Sequence, residues 1–383
     1  MGTGSVIITS RSAKKITEGY PWVFERDLLS RRYPEAGIVA VHDKRGAFVG
    51  QAFYSPTSKI VLRFITRSKA KIEKQFLATT LKNAHEKRKG LTKITNAYRV
   101  VNAEGDGLPS VIIDRYNDVF ALQITSAGAE KIKEDIVSCI IAAFKPRAIV
   151  EKNKTETRKL EGLPLTEGLL HGADAATRIF EGTQQFDVDV LHGQKTGAYL
   201  DYRAFRLKAA ALCSGTALDL CCYDGWFACQ IAHKAIAVTA VDASESALKR
   251  AAHNAEINGH KNITCINSDL FEFLKTDAAL YDFIHVDPPP FARGRAHLDA
   301  AIKAYEKIIA TALKKLRPGG TLLTSSCSHH ISERILEGIV HTSAEGTGIR
   351  YNIVFRGIQD HDHPVLKKFP ESLYLKAVAI KIF

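Results

Sequence analysis

Two residues near the C-terminal end of the chain have types and settings suited to chemistry on a nucleobase. Cys327 stands in Thr324-Ser325-Ser326-Cys327-Ser328, where an apolar run leaves a predicted strand. A cysteine at a strand end beside a crevice is a candidate nucleophile, provided its thiol ionises below the free value of about 8.5. Asp287 stands in Val286-Asp287-Pro288-Pro289-Pro290-Phe291. Consecutive prolines stiffen a loop and cannot donate to a ladder, so Asp287 is held at a strand's edge. Such a loop suits a planar base bearing an amine, with Pro289 beside it and Phe291 placed to stack. The pair fits a specific reaction. Cytosine C5 is a poor nucleophile, but a thiolate adding to C6 makes the ring an enamine. C5 can then attack a methylsulfonium while Asp287 interacts with N3 and the exocyclic amine. On position alone Cys327 could equally be a buried, inert thiol, as Cys213, Cys229 and Cys265 are expected to be.

A donor for that methyl group needs a site, and the preceding segments outline one. Ala217-Leu-Asp-Leu-Cys-Cys-Tyr-Asp-Gly-Trp-Phe-Ala228 reads as strand, tight loop and helix start. It puts Asp219, Cys221, Tyr223 and Gly225 where a parallel sheet binds nucleotide-like ligands. Asp242 closes the next strand, 23 residues after Asp219, placed to accept ribose hydroxyls, with Ala243 following. Ser268 and Asp269 close the third, where a carboxylate can accept from an adenine amine. A dinucleotide and S-adenosylmethionine both suit this plan. The first loop holds one glycine and no Gly-x-Gly-x-x-Gly cradle for a pyrophosphate, which favours S-adenosylmethionine. Asp360-His361-Asp362-His363 has metal-binding residue types, but ordinary hydrogen bonding is the simpler reading; methyl transfer from a sulfonium needs no metal, and none is expected.

The elements that must position these residues form a predicted α/β chain. From Ala217 short strands (Ala217–Cys221, Val238–Asp242, Ile263–Asn267, Phe283–Asp287 and Thr321–Ser325) alternate with helices near Trp226–Ala235, Ser244–Asn258 and Asp299–Leu316. That alternation predicts a doubly wound, Rossmann-like parallel sheet, with two more strands at Tyr351–Ile358 and Leu373–Phe383. Residues 5–66 read as a small β-barrel of short strands separated by turn residues. A basic helix follows over 70–89, with Ile72, Phe76, Leu77 and Leu81 on one face and Lys71, Lys74, Lys82, Lys87, Arg88 and Lys89 around it. A hairpin-like stretch over 98–125, a helix near Ala129–Phe144 and a strand at Ala148–Glu151 make an α+β middle region; residues 152–186 have no clear elements. The expected division is 1–70, 71–188 and 189–383.

Composition bounds the partners. With 383 residues, two or three domains are expected. Residues 1–100 hold 20 Lys+Arg against 7 Asp+Glu, so they carry all of the net charge of +12 and the rest is near neutral. A basic region joined to a neutral small-molecule enzyme predicts a polyanion partner, nucleic acid before membrane. The first residues, MGTGSVIITS, lack the basic start and apolar stretch of a signal peptide. The seven irregularly spaced cysteines suggest free thiols in a reducing, cytoplasmic setting.

Several segments together resemble the ribosomal large-subunit RNA cytosine-5 methyltransferases of the RlmI type. Tyr20-Pro-Trp-Val-Phe24 and Gly50–Arg63 resemble that family's N-terminal PUA domain, an RNA-binding barrel. Asn102-Ala-Glu-Gly-Asp-Gly-Leu-Pro109, Asp114-Arg-Tyr116 and Arg158-Lys-Leu-Glu-Gly162 resemble its middle domain. Gly193-Gln-Lys195-Thr-Gly197 with Tyr199-Leu-Asp-Tyr-Arg203 resembles the hairpin that opens its catalytic domain, and Asp287-Pro-Pro with Phe291 and Ser326-Cys-Ser328 complete the set. The resemblance spans nearly the whole chain. It implies methylation of a cytosine C5 in large-subunit rRNA with Cys327 as nucleophile. It also implies cofactor contacts from Asp219, Tyr223, Gly225, Asp242, Asp269 and Asp287, Lys195 near the substrate, and a homodimer. Two departures stand out: Asp224-Gly225-Trp226 replaces the usual Thr-Gly-Gly, and Pro290 replaces the usual lysine. A related branch with Asp-Pro-Pro-x-Phe methylates guanine N7 without a cysteine. That activity, or an RNA-binding protein with a decayed methyltransferase domain, is the alternative reading.

Overall fold

Residues 4–30, 33–289, 291 and 294–383 are described by the computed structural model. They fall into two compact units, each discontinuous in sequence. One joins the chain up to Phe180 with Asp187–Leu200 and His361–Ser372; the other joins Glu181–Phe186, Asp201–Asp360 and Leu373–Phe383.

The first unit opens with β1 (Gly4–Ile8), α1 (Ser10–Glu18), β2 (Trp22–Phe24), β3 (Gly37–Asp43), β4 (Phe48–Tyr54) and β5 (Ile60–Thr66). The strands make one sheet in the order β1-β3-β4-β5-β2, and an isolated bridge links Ile8 to Leu28. Inward residues Val6, Ile8, Val39, Val41, Ala52 and Leu62 form its core with Ile16 of α1. That helix was not expected from the sequence, because it buries only Ser12 and Ile16. Its ends carry the usual signals: Thr9 accepts from the Ser12 amide, and Gly19 closes it at φ +111°.

The same unit continues with α2 (Lys74–Glu86), β6 (Ala97–Asn102), β7 (Val111–Tyr116), β8 (Val119–Ile124), α3 (Ala127–Glu130), α4 (Lys133–Phe144), β9 (Ala148–Lys152), α5 (Glu156–Leu160) and β10 (Glu167–His171). The second sheet runs β10-β9-β8-β7-β6. Gly128 seats α3 against β4; a Cβ there would lie 2.8 Å from the Phe53 Cβ and 2.9 Å from the Tyr54 amide, so only glycine fits. Glu161 adds a buried clasp, accepting from Arg63 at 2.8 Å and from the Ala127 amide at 3.1 Å. The turn-rich region over 152–186 holds α5, β10 and the start of a two-stranded sheet of β11 (Ala176–Glu181) and β12 (Gln184–Asp189).

One residue of the expected basic surface is not at the surface. Arg88 is buried, forked onto Asp106 at 2.7 and 2.6 Å, and it also donates to the Ala84 and Asp362 carbonyls. Helical spacing alone could not separate it from Lys87, which is largely exposed.

The second unit holds α6 (Arg203–Leu212), β13 (Thr216–Leu220), α7 (Trp226–Ala232), β14 (Ala237–Asp242), α8 (Glu245–Ile257), β15 (Ile263–Asn267), α9 (Leu270–Thr276), β16 (Tyr281–Val286), α10 (Leu298–Lys314), β17 (Leu316–Ser326), α11 (Glu333–Thr347), β18 (Tyr351–Ile358) and β19 (Lys376–Ile382). Its seven-stranded sheet has the order β15-β14-β13-β16-β17-β19-β18. The first five strands are parallel, and β19 is antiparallel to both β17 and β18. The strand order reverses between β13 and β16, so a crevice opens beyond their carboxyl ends.

The Arg88–Asp106 pair supplies a stability test. Arg88→Ala leaves the buried Asp106 carboxylate with only the Asn102 amide and the largely exposed Lys87 as partners, a loss of about 3–5 kcal/mol. Chemical denaturation should show an unfolding free energy lowered by that much; a change under about 1 kcal/mol would mean that water replaces the guanidinium at no cost.

Candidate active site

The crevice between β13 and β16 gathers most of the residues singled out from sequence. Asp219 lies on β13, fully buried. The loop after it turns through two non-glycine residues with left-handed backbone, Cys221 at φ +63° and Tyr223 at φ +50°, before Gly225 at φ +77°. Such conformations store strain and cluster at functional sites. Gly225 is required twice over, since a Cβ would sit 2.8 Å from that of Ala251 on α8.

The strand end of β14 holds the loop. Asp242 accepts from the Tyr223 amide through Oδ2 and the Ser244 amide through Oδ1, both at 2.9 Å. Ala243 beside it is exposed. Ser268 donates its amide to the Asp242 carbonyl. Asp269 caps α9, accepting from the Phe271 and Glu272 amides at one oxygen, Oδ1. Asp287 follows β16 and donates its amide to the Leu220 carbonyl at 3.4 Å. Cys221 is the centre of this arrangement: burial holds its thiol protonated, and the charges of Asp287, Asp242, Asp219 and Asp269 add to that.

Four carboxylates converging on one loop would repel a pyrophosphate and attract a cation. The Oδ2 of Asp219 is buried and makes no hydrogen bond within the described protein. An orphaned buried carboxylate oxygen is costly unless a ligand meets it. These residues therefore fit a cofactor carrying ammonium and sulfonium charges, and not a dinucleotide.

On the far side of Asp287, Ser325 of β17 donates to its Oδ1. Cys327 follows β17 directly and is partly buried. Lys376, buried and opposite Ser326 in the β17–β19 register, donates to the carbonyls of Ser328 at 2.8 Å and Tyr374 at 3.0 Å. Burial lowers its pKa, opposed by the charges of Cys327 and Glu333, so the ammonium lies within the field of the Cys327 sulfur. Pro289 is exposed, and the half-buried Phe291 sets its ring edgewise to Tyr305 at 5.3 Å. Pro290 lies outside the described residues. Lys195 belongs to the first unit, where its ammonium sits 4.3 Å from the Tyr199 ring centroid.

Trp226 opens α7 directly after the loop. Its indole is buried, stacked on Phe186 at 4.5 Å with the Arg206 guanidinium 5.1 Å away. The Asp360–His363 segment is spent on hydrogen bonds: Asp360 pairs with Arg203 at 2.7 Å, and Asp362 accepts from the Arg99 amide and meets His363. Among the described residues no three such side chains gather as a metal site. Sequence reasoning missed Tyr202, His285, Ser325 and Lys376. Only the polarity of His285 within the apolar run Phe283–Val286 could have drawn notice.

Comparisons with known proteins define the fold and the family. Residues 6–67 match a PUA-like domain and residues 204–353 a methyltransferase small domain. A solved chain from Streptococcus mutans, described as a SAM-dependent methyltransferase, superposes with a TM-score of 0.84 over 99% of this chain and 100% of that one, at 23% identity. Another, solved with S-adenosylhomocysteine, gives 0.85 over the same shares at 23% identity. The protein thus has the fold of the S-adenosylmethionine-dependent methyltransferases, with an N-terminal PUA-like domain. Full-length relatives narrow the class. The ribosomal RNA large subunit methyltransferase I of Shewanella amazonensis is 36% identical, covering 97% of each chain, and that of Vibrio parahaemolyticus is 34% identical, covering 99% of this chain and 100% of its own. The chain belongs to the ribosomal RNA large subunit methyltransferase I family.

The loop carries a pH signature. Burial pushes the Asp224 carboxyl up to about 7, against the opposing charges of Arg250 and Arg206. A raised carboxyl pKa means that the folded state binds the proton more tightly than the unfolded chain. Stability therefore falls as pH rises from about 4 to about 7, and the penalty is complete above that. Asp224→Asn should raise the melting temperature by about 2–4 °C at pH 8 and leave it unchanged at pH 4. Equal shifts at both pH values would contradict this.

Proposed function

We propose that this enzyme methylates C5 of a cytosine in large-subunit rRNA through a covalent adduct at Cys327. The observation that carries this reading is the adjacency of β16 and β17. Asp287 ends one strand, Cys327 follows the other, and Ser325 ties them. The family and the PUA-like domain support rRNA as substrate, and so does the excess of Lys and Arg over residues 1–100.

In this reading Asp219, Cys221, Tyr223, Gly225, Asp242, Ala243, Ser268, Asp269 and Asp287 hold S-adenosylmethionine, which when bound supplies an electrophilic methyl group on sulfur. Asp219 meets the cofactor's cationic end and Asp242 its ribose. The loop's left-handed turns bring backbone close to the ligand. Cys327 adds to C6 of the cytosine, and the ring's electron pair becomes available at C5. Asp287 engages N3 and the exocyclic amine, and Pro289 and Phe291 line the base. After C5 is methylated a base removes its proton, the C5–C6 double bond re-forms and the thiolate leaves. The buried Lys376 ammonium favours the thiolate form of Cys327. Lys195 contacts RNA. The target base must leave its stack to reach the thiol. The proposal includes a three-part division at about residues 70 and 188, a homodimer and a cytoplasmic setting; among the described residues no helix is long and apolar enough to cross a membrane.

Cys327→Ala should abolish methylation, and rRNA containing 5-fluorocytidine should trap a denaturant-resistant complex on the unmodified enzyme alone. Turnover that survives Cys327→Ala, with no trapped complex, would sink the C5 reading in favour of guanine N7 or a base amine. RNA affinity should fall steeply with salt, by about 10³-fold or more between 50 and 200 mM, if six or more phosphates are contacted. A nearly flat salt dependence would remove the basic N-terminal region from the RNA site.

A further inference from the structure

Cys327 stands one residue beyond the point where its strand is held by a neighbour. The β17–β19 ladder ends at the Ser326–Lys376 pair, and β17 itself ends at Ser326. Backbone beyond a ladder is loosely held unless other groups bond it. Two buried side chains do so here, one on each flank of the cysteine. Tyr305 of α10 donates its hydroxyl to Ser326 Oγ at 3.1 Å. The same Oγ accepts from the Ser328 amide at 3.3 Å, which closes a turn around Cys327. On the other flank Lys376 of β19 donates to the Ser328 carbonyl at 2.8 Å, an oxygen that also accepts from the Ile331 amide at 3.2 Å. Tyr305, Ser326, Ser328 and Lys376 are all buried.

We propose that Tyr305 and Lys376 are positioning residues for the methyl transfer, which brace Cys327 from both flanks and so aim its sulfur at C6 of the base. The proposal rests on the reading of Cys327 as the nucleophile. Neither residue is explained by packing alone. Lys376 heads a strand whose next four residues, Ala377–Ile380, are buried and apolar. Burying an ammonium there is costly, and its partners are the Ser328 and Tyr374 carbonyls rather than a carboxylate. An unbranched apolar side chain would fill the space at less cost. Phenylalanine would fill the space of Tyr305 equally well. A buried tyrosine hydroxyl needs a partner, and this one has the residue directly before the nucleophile.

The brace also reaches the base. The ring of Tyr305 meets Phe291 edgewise at 5.3 Å, and Phe291 is the ring assigned to line the base. Tyr305 therefore touches both the residue that lines the base and the residue that leads into the nucleophile. Ser325, one position earlier, donates to Asp287 Oδ1. The three serines of Ser325-Ser326-Cys327-Ser328 thus tie the end of β17 to three separate elements: the loop after β16, α10 and β19. Attack forms one bond, from the Cys327 sulfur to C6, while the C5–C6 electron pair moves to C5. A misplacement of about 1 Å at such a bond can cost on the order of 100-fold in rate. Side chains held by packing and by hydrogen bonds to rigid elements prevent that misplacement.

The test uses the full chain with rRNA containing cytidine or 5-fluorocytidine. Tyr305→Phe removes one oxygen and keeps the ring against Phe291. It should slow single-turnover methylation and adduct trapping by about tenfold, while affinities for RNA and S-adenosylmethionine stay within about threefold. Ser326→Ala should match it. The double variant should be no more than about twofold slower than either single one, because Tyr305 acts through the Ser326 hydroxyl. Lys376→Met should slow both rates by about tenfold or more, and the deficit should persist at about pH 9.5, where a free thiol is ionised. Should Lys376→Met not fold, the other three variants decide. Trapping at the unmodified rate in Tyr305→Phe, or losses that multiply in the double variant, would overturn the brace. Affinities that fall in step with the rates would overturn it too. A Lys376→Met deficit that vanishes at high pH would leave that ammonium a purely electrostatic role and remove it from the brace. Failure of the underlying reading looks different: the unmodified enzyme itself traps no adduct, and Cys327→Ala keeps turnover.

Discussion

The hydrogen bond between Asp219 and His285 spans the point on which the catalytic unit depends. It joins β13 to β16, the two strands between which the strand order reverses. On one side the chain winds outward through β14 and β15, on the other through β17 and the antiparallel pair β19 and β18. A doubly wound sheet has one such reversal, and a ligand crevice opens there because the connections on either side lead away from it. A buried carboxylate and imidazole at that seam need partners on both strands. They fix the register of Leu218 with Ile284 and of Leu220 with Val286, and so the positions of the loop after β13 and of Asp287.

The crevice owes its selectivity to charge as much as to shape. Asp219, Asp242, Asp269 and Asp287 all act on Cys221. Holding four carboxylates so close is unfavourable unless something offsets the repulsion. Asp242 and Asp269 are offset by backbone amides. Asp219 has half of its bonding capacity filled by His285, and its other oxygen is the place where a cation is most strongly favoured. The left-handed backbone at Cys221 and Tyr223 is the conformational cost of bringing the loop over that field.

The first unit is built on different terms. Its net positive charge is dispersed on side chains such as Lys14, Lys82 and Lys89, while arginines of the same region are drawn inside. Arg63, Arg88 and Arg99 are each forked or paired to a buried carboxylate. Basic residues near one another in sequence thus divide between fastening the sheets and facing solvent. A planar guanidinium can satisfy two acceptors when buried, which an ammonium does less readily.

The order of strands and helices from Ala217 was legible in the sequence because each element repeats its own period and is bounded by polar residues. Asp219 within its strand and Asp242 and Asp287 at the ends of theirs announce their carboxylates by position, and a single-glycine loop points to a phosphate-free cofactor. Helices α6, α9 and α11 were not legible. Neither was α1, where a nine-residue amphipathic turn buries only two side chains. Local pattern also could not show that Arg88 is internal or that the indole of Trp226 lies against Phe186. Tertiary structure alone decided what joins the carboxylates. Tyr202 and His285 are 83 residues apart, and Lys376 meets the Cys327 region only because β19 runs antiparallel to β17. Periodicity and strand ends are properties of neighbouring residues and can be read along the chain. Hydrogen bonds between distant strands depend on the order in which the sheet assembles them, and no local signal carries that.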